Sequence, residues 1–280
     1  GRSVSLSSDG SIVAIGIPGD DNNGESSGNA RVFQFDGANW VQLGNNINGE
    51  QAYEHVGYSI SLSSDGSILA IAGSNGISAK VRIFQFDGAN WVQKGSNIQL
   101  EYDVDYIGSS VSLSSDGSII AIGEYGYTGT VRVYQFEDSN WIQQGNNIEG
   151  DSFGDMNGLS VSLSADGSTV ALSAPWDGLG NDDYVGYVRV YNFNGANWIQ
   201  IGQNIEGGAA NDRSGECVSL SADGMTIAIG APHNDGNGDK SGHVRIYEWN
   251  GSTWVQKAQD IDGEAADDRS GTSVSLSSDG

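Results

Sequence analysis

The sequence predicts an all-β fold made from one repeated sheet, and three observations carry that prediction. The octapeptide SVSLSSDG stands at 3–10, 110–117 and 273–280, with near-copies SISLSSDG at 59–66, SVSLSADG at 160–167 and CVSLSADG at 217–224. Each of the first five copies is followed by an apolar run and then by a β-branched, aromatic run, as in IVAIG at 12–16 and ARVFQF at 30–35. The 280 residues hold 42 Gly but only 3 Pro, with 7 Trp and 11 Tyr, a balance that suits short strands and tight turns rather than disorder.

Counting from the glycine before each copy, the repeats span 1–56, 57–107, 108–157, 158–214 and 215–270, with a partial sixth at 271–280. Periods of about 50 residues belong to repeat architectures. Within a repeat the first run alternates small polar and apolar residues, which is the period of a strand with one face covered. Its Ser-Asp-Gly or Ala-Asp-Gly turn puts glycine where a tight hairpin needs positive φ. The second run is continuously apolar and suits a strand covered on both faces. The third run leads through DGAN at 36–39 and 87–90, or NGAN at 194–197, into a fourth strand. That strand opens with Trp40, Trp91, Trp141, Trp198 and Trp254.

Four antiparallel strands in a small twisted sheet cannot bury both faces alone. Packing such sheets face to face around an axis supplies the cover, and this is a β-propeller of four-stranded antiparallel blades. Ala14, Gly16, Ala121, Gly123, Ala228 and Gly230 are small enough for inner strands to converge. The single domain 1–280 then holds five complete blades plus the first strand of a sixth, and is expected to belong to a larger ring. The repeated tryptophans are read as rings buried between blades with their N–H partnered. Arg31, Arg82, Arg132, Arg189 and Arg245 recur in one register of the third strand and are read as structural hydrogen-bonding or ion-pairing groups.

The units resemble FG-GAP repeats, the modules of the integrin α-subunit N-terminal propeller. GECVSLSADGMTIAIGAPHNDGNGDKSGHVRIYEWNG at 215–251 carries the likeness best, and Gly16-Ile17-Pro18 and Ser173-Ala174-Pro175 repeat its proline step. Repeat arrays of secreted marine bacterial and algal proteins are similar. The resemblance implies an extracellular or cell-surface location and cell adhesion. Two departures limit it. Val56, Ile107, Asn157, Ser214 and Ser270 stand where the family has phenylalanine before glycine. The connection between the first two strands is only SSDGS, SADGS or SADGM, and one carboxylate there falls short of the six to eight oxygens that Ca²⁺ takes.

Lys and Arg total 12 against 36 acidic residues, a formal net charge of −24. That charge repels phosphate backbones and anionic membrane surfaces, so neither nucleic acid nor membrane insertion is expected. The hairpins barely vary, whereas the loops after the second and fourth strands vary as binding loops on a rigid scaffold do. They supply the candidate ligand-binding residues Asp20, Asp21, Trp176, Asp177, Asp182, Asp183, Tyr184, Asn234, Asp235 and Asp239. Three readings stay open for these loops: solubilising turns, a divalent-cation site such as Ca²⁺ with Asp235, Asn237 and Asp239 as ligands, or recognition of a protein or glycan with Trp176 and Tyr184 stacking.

His233 and His243 bracket one loop and could form a transition-metal pair, though a solvated histidine is commoner. Cys217, the one cysteine, takes a place held by serine in the other copies and reads as a small, half-buried residue. Asn250-Gly251-Ser252 is a glycosylation sequon at a hairpin tip. No nucleophile elbow, phosphate loop or metalloprotease helix occurs, so no enzyme is expected. The expected function is a non-enzymatic extracellular propeller that binds or scaffolds other molecules through its variable acidic loops. The alternatives are a subunit of an extracellular fibre or surface layer, assembling with copies or companion chains, and a lectin-like propeller.

Overall fold

Five sheets follow the five repeats, each with the strand order of the sequence. The computed structural model describes residues 1–74, 79–100, 110–124, 129–151, 154–177 and 184–280. The first sheet comprises Ser3–Leu6, Ile12–Ile17, Asn29–Phe35 and Trp40–Gln42, all antiparallel. Its fourth strand is interrupted. After Trp40–Gln42 the chain leaves the ladder and returns as the two-residue strand Ile47–Asn48, which pairs with the third strand again. The same two-residue return recurs in all five sheets, so the fourth run predicted from the sequence is two short strands.

The hairpin between the first two strands is held by its aspartate. Asp9 Oδ1 accepts from the Ser7 hydroxyl at 2.7 Å and from the Ser11 amide at 2.9 Å, and Gly10 has φ 71°. Asp65, Asp116, Asp166 and Asp223 repeat this arrangement. At the next hairpin Asp36 Oδ1 accepts the amides of Ala38 and Asn39 at 2.8 and 2.7 Å. The aromatic that ends the third strand then faces the tryptophan that opens the fourth. Phe35 and Trp40 are register partners with ring centroids 5.5 Å apart.

Two compact units make up the chain, residues 1–120 with 134–143 and residues 121–133 with 144–280. In the first unit, Ile12, Ala14, Ala30, Val32 and Ile47 of one sheet pack against Ile60, Leu62, Leu69, Ile71 and Phe84 of the next. Leu69 and Ile71 are buried, and each such side chain contributes about 1.5–3 kcal/mol. The second strand of the second sheet, Ile68–Ser74, is buried along its whole length, so both of its faces are covered. In the second unit, Ala171, Val188, Val190 and Ile205 pack in the same way against Val218, Leu220, Ile227 and Ile229.

Successive sheets are also joined by serines of the repeated octapeptide. The amide of Leu62 donates to Ser5 Oγ at 3.0 Å, and that of Leu113 to Ser61 Oγ at 3.0 Å. In the second unit Leu220 N donates to Ser162 Oγ at 2.9 Å. The approach is close enough to require glycine, because a Cβ on Gly16 would lie 2.0 Å from the Gly57 carbonyl oxygen. The sixth copy follows this pattern without joining a strand ladder, with Leu276 N donating to Ser219 Oγ at 3.0 Å.

Four tryptophans bridge neighbouring sheets. Trp91 and Trp141 donate their indole N–H to the carbonyls of Leu43 and Lys94, each at 2.9 Å. Trp198 and Trp254 donate to Gln144 and Ile201 at 3.0 and 3.1 Å. Trp40 stands apart, 48% exposed. The repeated arginines pair with acids. Arg132 lies 2.5 Å from Glu124 with both side chains buried, and Arg245 is 2.9 Å from Asp260. Arg189 pairs with Asp151, Arg82 with Glu50 at 3.3 Å, and Arg31 with Asp20 at 3.7 Å.

Candidate functional site

The loops that end the fourth repeat and open the fifth build a mixed aromatic and cationic cluster. Trp176 follows Pro175 just after the second strand Thr169–Ala174, and Tyr184 lies on the far side of the same loop. Their rings sit 5.3 Å apart at 63°, edge to face. The Arg213 guanidinium carbon is 4.3 Å from the centroid of the Trp176 ring, a cation–π contact. Arg213 Nη1 also lies 3.4 Å from His233 Nε2.

The backbone explains why residues so far apart in sequence meet. Arg213 N donates to the Tyr184 carbonyl at 3.1 Å and Ser214 N to the Val185 carbonyl at 3.0 Å, so the inter-repeat link is laced to the Trp176 loop. Arg213 has φ 52°, in the left-handed region. Asp212 is buried and accepts Asn234 Nδ2 on both oxygens, at 3.2 and 3.1 Å. The Asp212-Arg213 pair therefore pins the fifth-repeat loop with one side chain and stacks on the fourth-repeat loop with the other.

Glu216 and His233 complete the surroundings. Burial pushes the Glu216 carboxyl above its ordinary range, and the Arg213 charge only partly opposes this. Its Oε2 is buried with no hydrogen-bond partner. Burial and the charges of Arg213, Arg269 and Lys240 push His233 down, so its imidazole is neutral near pH 7. The cluster offers a flat aromatic edge, a fixed guanidinium and a carboxyl that holds its proton unusually well.

The other candidates from the sequence are engaged locally. Asp20 accepts the Asn22 amide at 3.0 Å, and Asp21 the Ser26 amide at 2.7 Å. Asp235 repeats the latter with the Lys240 amide at 2.8 Å. Asn237 Nδ2 donates to the Gly263 carbonyl at 2.9 Å, and Asp239 faces Lys240 at 3.8 Å. The amide of Gly186 donates to the Asp177 carbonyl at 3.4 Å. Asp182 and Asp183 lie outside the described residues. His233 faces Arg213, whereas His243 is buried at the start of the third strand of its sheet, with Nδ1 3.8 Å from Asp260.

Among the described residues, His243, Asp260 and Asp262 bring ligand atoms within 4.8 Å of one another. Arg245 already fills the cationic place there, donating to Asp260 Oδ2 through Nε at 3.0 Å and Nη2 at 2.9 Å. The sequence reading overlooked Arg213 and the buried Asp212. The available signal was an acid three residues before each internal repeat glycine, at Glu54, Asp105, Asp155, Asp212 and Asp268.

Residues 206–247 match the FG-GAP repeat family. The hydrazine synthase of Kuenenia stuttgartiensis superposes on 99% of this chain and 78% of its own, with 14% identity and a TM-score of 0.65. The Cps50 (Swd1) β-propeller domain of Myceliophteria thermophila covers 94% and 73%, with 12% identity and a TM-score of 0.60. The protein has the β-propeller fold. No curated protein matches the chain.

The FG-GAP match takes in the Asp212-Arg213 link, Glu216 and His233, so half of the aromatic–cationic cluster stands on the recognised repeat. One expectation is overturned. A putative 6-phosphogluconolactonase from Bacteroides uniformis also shares the fold, with 16% identity, a TM-score of 0.62, and coverage of 91% of this chain and 70% of that one. Enzymes are thus built on this architecture, and the missing linear motifs that led us to expect no catalysis do not exclude it. Propellers assemble sites from separate loops, which a linear motif cannot reveal.

Proposed function

We propose that this FG-GAP β-propeller binds a protein or glycan partner at the cell surface or in the extracellular space, through the loops around Trp176, Tyr184 and Arg213. The observation that carries the reading is the Arg213 guanidinium stacked 4.3 Å from the Trp176 ring centroid, with Tyr184 set edge-on against the same ring. Stacking fixes the guanidinium plane, which lowers the entropy lost when its donors engage a carboxylate or hydroxyl. In a chain of net charge −24 such a cation singles out one patch for an acidic or hydroxyl-rich ligand. The likeness to FG-GAP repeats supports the location.

Arrays of glycans and of acidic peptides, probed with the labelled chain, test this. Wild type is expected to bind members of one class, and Trp176→Ala and Arg213→Ala to lose at least about tenfold in affinity, matching loss of a stacking contact and a charged hydrogen bond. Blank arrays, or binding that both variants retain, would overturn the proposal.

A further inference from the structure

Two neighbouring junctions between sheets carry the same cavity in the same register. Between the first and second sheets a cavity of about 270 Å³ is lined by Asn45, Asn48, Arg82, Phe84, Asn90 and Trp91. Between the second and third sheets one of about 200 Å³ is lined by Ser96, Asn97, Gln99, Tyr134, Asn140 and Trp141. Counted along the repeats, Asn45 corresponds to Ser96, Asn48 to Gln99, Phe84 to Tyr134, Asn90 to Asn140 and Trp91 to Trp141. Each cavity lies where the two-residue return of one sheet meets the aromatics of the next.

The lining is uncharged in effect. No acidic side chain lines either cavity, although the chain holds 36 acidic residues. Arg82 is the one cation, and its charge is already met. Its Nη2 donates to the Asn48 carbonyl at 3.0 Å, and its Nη1 lies 3.3 Å from Glu50 Oε1. Asn45 Nδ2 donates to Asn90 Oδ1 at 2.9 Å, so the pair still offers the Asn45 oxygen as acceptor and the Asn90 nitrogen as donor. The Asn48 side-chain oxygen is buried without a hydrogen-bond partner, a cost that a bound hydroxyl would relieve. Trp91 and Trp141 are half-buried and are held in place through their indole N–H.

The junction of the fourth and fifth sheets fills the corresponding place with a longer side chain. Gln203 stands in the register of Asn45. It donates to the Trp254 carbonyl at 2.9 Å and accepts the Trp254 amide at 3.3 Å. Trp254 is buried there.

We propose that the two cavities are sugar-binding subsites, each taking one pyranose ring of a neutral glycan. Such a ring carries hydroxyls around its edge and C–H groups of partial positive charge on its faces. The hydroxyls match the adjacent acceptor and donor of Asn45 and Asn90, and the C–H groups are drawn to the aromatic π-faces. The volumes suit a single ring rather than a larger ligand. A charged ligand is disfavoured, because neither an unpaired cation nor a carboxylate lines the cavities to offset its burial. The cavities share no residue with the Trp176 loops, so the inference does not depend on what those loops bind.

Titration of the ¹⁵N-labelled chain with the methyl glycosides of glucose, galactose, mannose and N-acetylglucosamine, followed at the indole N–H signals, tests it. The Trp91 and Trp141 signals are expected to move with at least one sugar and the Trp254 signal to stay in place. Saturation is expected in the millimolar range, which a ligand of about twelve non-hydrogen atoms reaches. Asn45→Gln with Asn90→Thr gives the first cavity the residues of the Trp254 junction, and Ser96→Gln with Asn140→Thr does the same for the second. All four positions are exposed, so both variants are expected to fold. Each is expected to lose at least about tenfold in affinity at its own tryptophan and to leave the other unchanged. Trp176→Ala is expected to bind as wild type does. Signals that stay in place at about 50 mM sugar, shifts shared by Trp254, or double variants that bind as wild type would each overturn the subsites. Binding lost in Trp176→Ala alone would place the sugar in the loops, which supports the function proposed above and overturns this inference.

Discussion

The indole nitrogen of Trp198 donates to the carbonyl oxygen of Gln144 at 3.0 Å, tying together residues 54 positions apart in sequence. The same bond recurs at Trp91, Trp141 and Trp254, and at each the ring stands beside the aromatic that ends the third strand. Replacing Trp198 by Phe removes the donor of a part-buried hydrogen bond, which costs about 0.5–1.5 kcal/mol. Trp198→Ala adds a cavity and costs about 3–5 kcal/mol. Trp40→Phe, at the exposed first copy, is expected to change stability by less than about 0.5 kcal/mol. Urea unfolding followed by circular dichroism compares the three, and equal losses at Trp40 and Trp198 would contradict the bridging role.

Arg132 and Glu124 form an ion pair in which both side chains are buried. Arg132→Met removes the buried cation paired with Glu124 and is expected to destabilise by about 3–5 kcal/mol, whereas Arg132→Met with Glu124→Leu recovers much of the loss. A double-mutant cycle in urea measures the coupling. A strictly additive double variant would show that the two side chains act separately.

The hairpin aspartates make stability depend on acid. Asp223 is held below the usual carboxylate range by the Ser221 hydroxyl and the Met225 amide. At Asp65, Asp116 and Asp166 burial pushes upward, but the serine amides and hydroxyls outweigh it and the net direction is again down. A carboxylate whose folded value lies below its unfolded value stabilises the fold above the unfolded value, about pH 4. That contribution is lost as pH falls from there through the folded value. Melting temperature is therefore expected to be flat from pH 5 to 7 and to fall steeply below about pH 4. Asp116→Asn is expected to lower it at pH 7 and to shallow the acid slope.

Glu216 has the opposite sign. Its folded value is raised by burial, so its contribution favours the fold at low pH and is lost as pH climbs through the raised value. Glu216→Gln is expected to raise the melting temperature at pH 7 and to leave it unchanged near pH 4. A fall at pH 7 would mean that the charged carboxylate is held by Arg213 more strongly than burial opposes it.

Burial also pushes the Cys217 thiol up, and its sulfur faces the backbone of Val274 at 3.5 Å. Alkylation by iodoacetamide at pH 8 is expected to be at least about tenfold slower than for a free thiol, because little thiolate forms. Leu276→Glu, which loosens the strip over the sulfur, is expected to speed it. Labelling as fast as in urea would show that the strip does not cover Cys217.

The sheets were legible because their code is local. Alternation in SVSL and the apolar run IVAI are read within a few residues, and Asp-Gly turns join them. The interrupted fourth strand was not legible, because a two-residue return such as Ile47–Asn48 has no periodicity of its own. In the candidate site, Trp176 and Tyr184 were singled out as aromatics amid acidic loop residues. Arg213 escaped notice because its partnership with Trp176 depends on a link 37 positions away folding back at positive φ, which no window of sequence contains. The oxygens of Asp235, Asn237 and Asp239 carry two readings at once. Spaced oxygens suit a cation, but they equally suit the amides of the turn that carries them.

The ties from Leu62 to Ser5 and from Leu113 to Ser61 each join one copy of the octapeptide to the next. Copies tied in this way offer the same serine hydroxyl forward and the same leucine amide backward. Lengthening or shortening such a gene by whole units would preserve this serine-to-leucine tie at each new junction, so the tie itself sets no limit on the number of leaves.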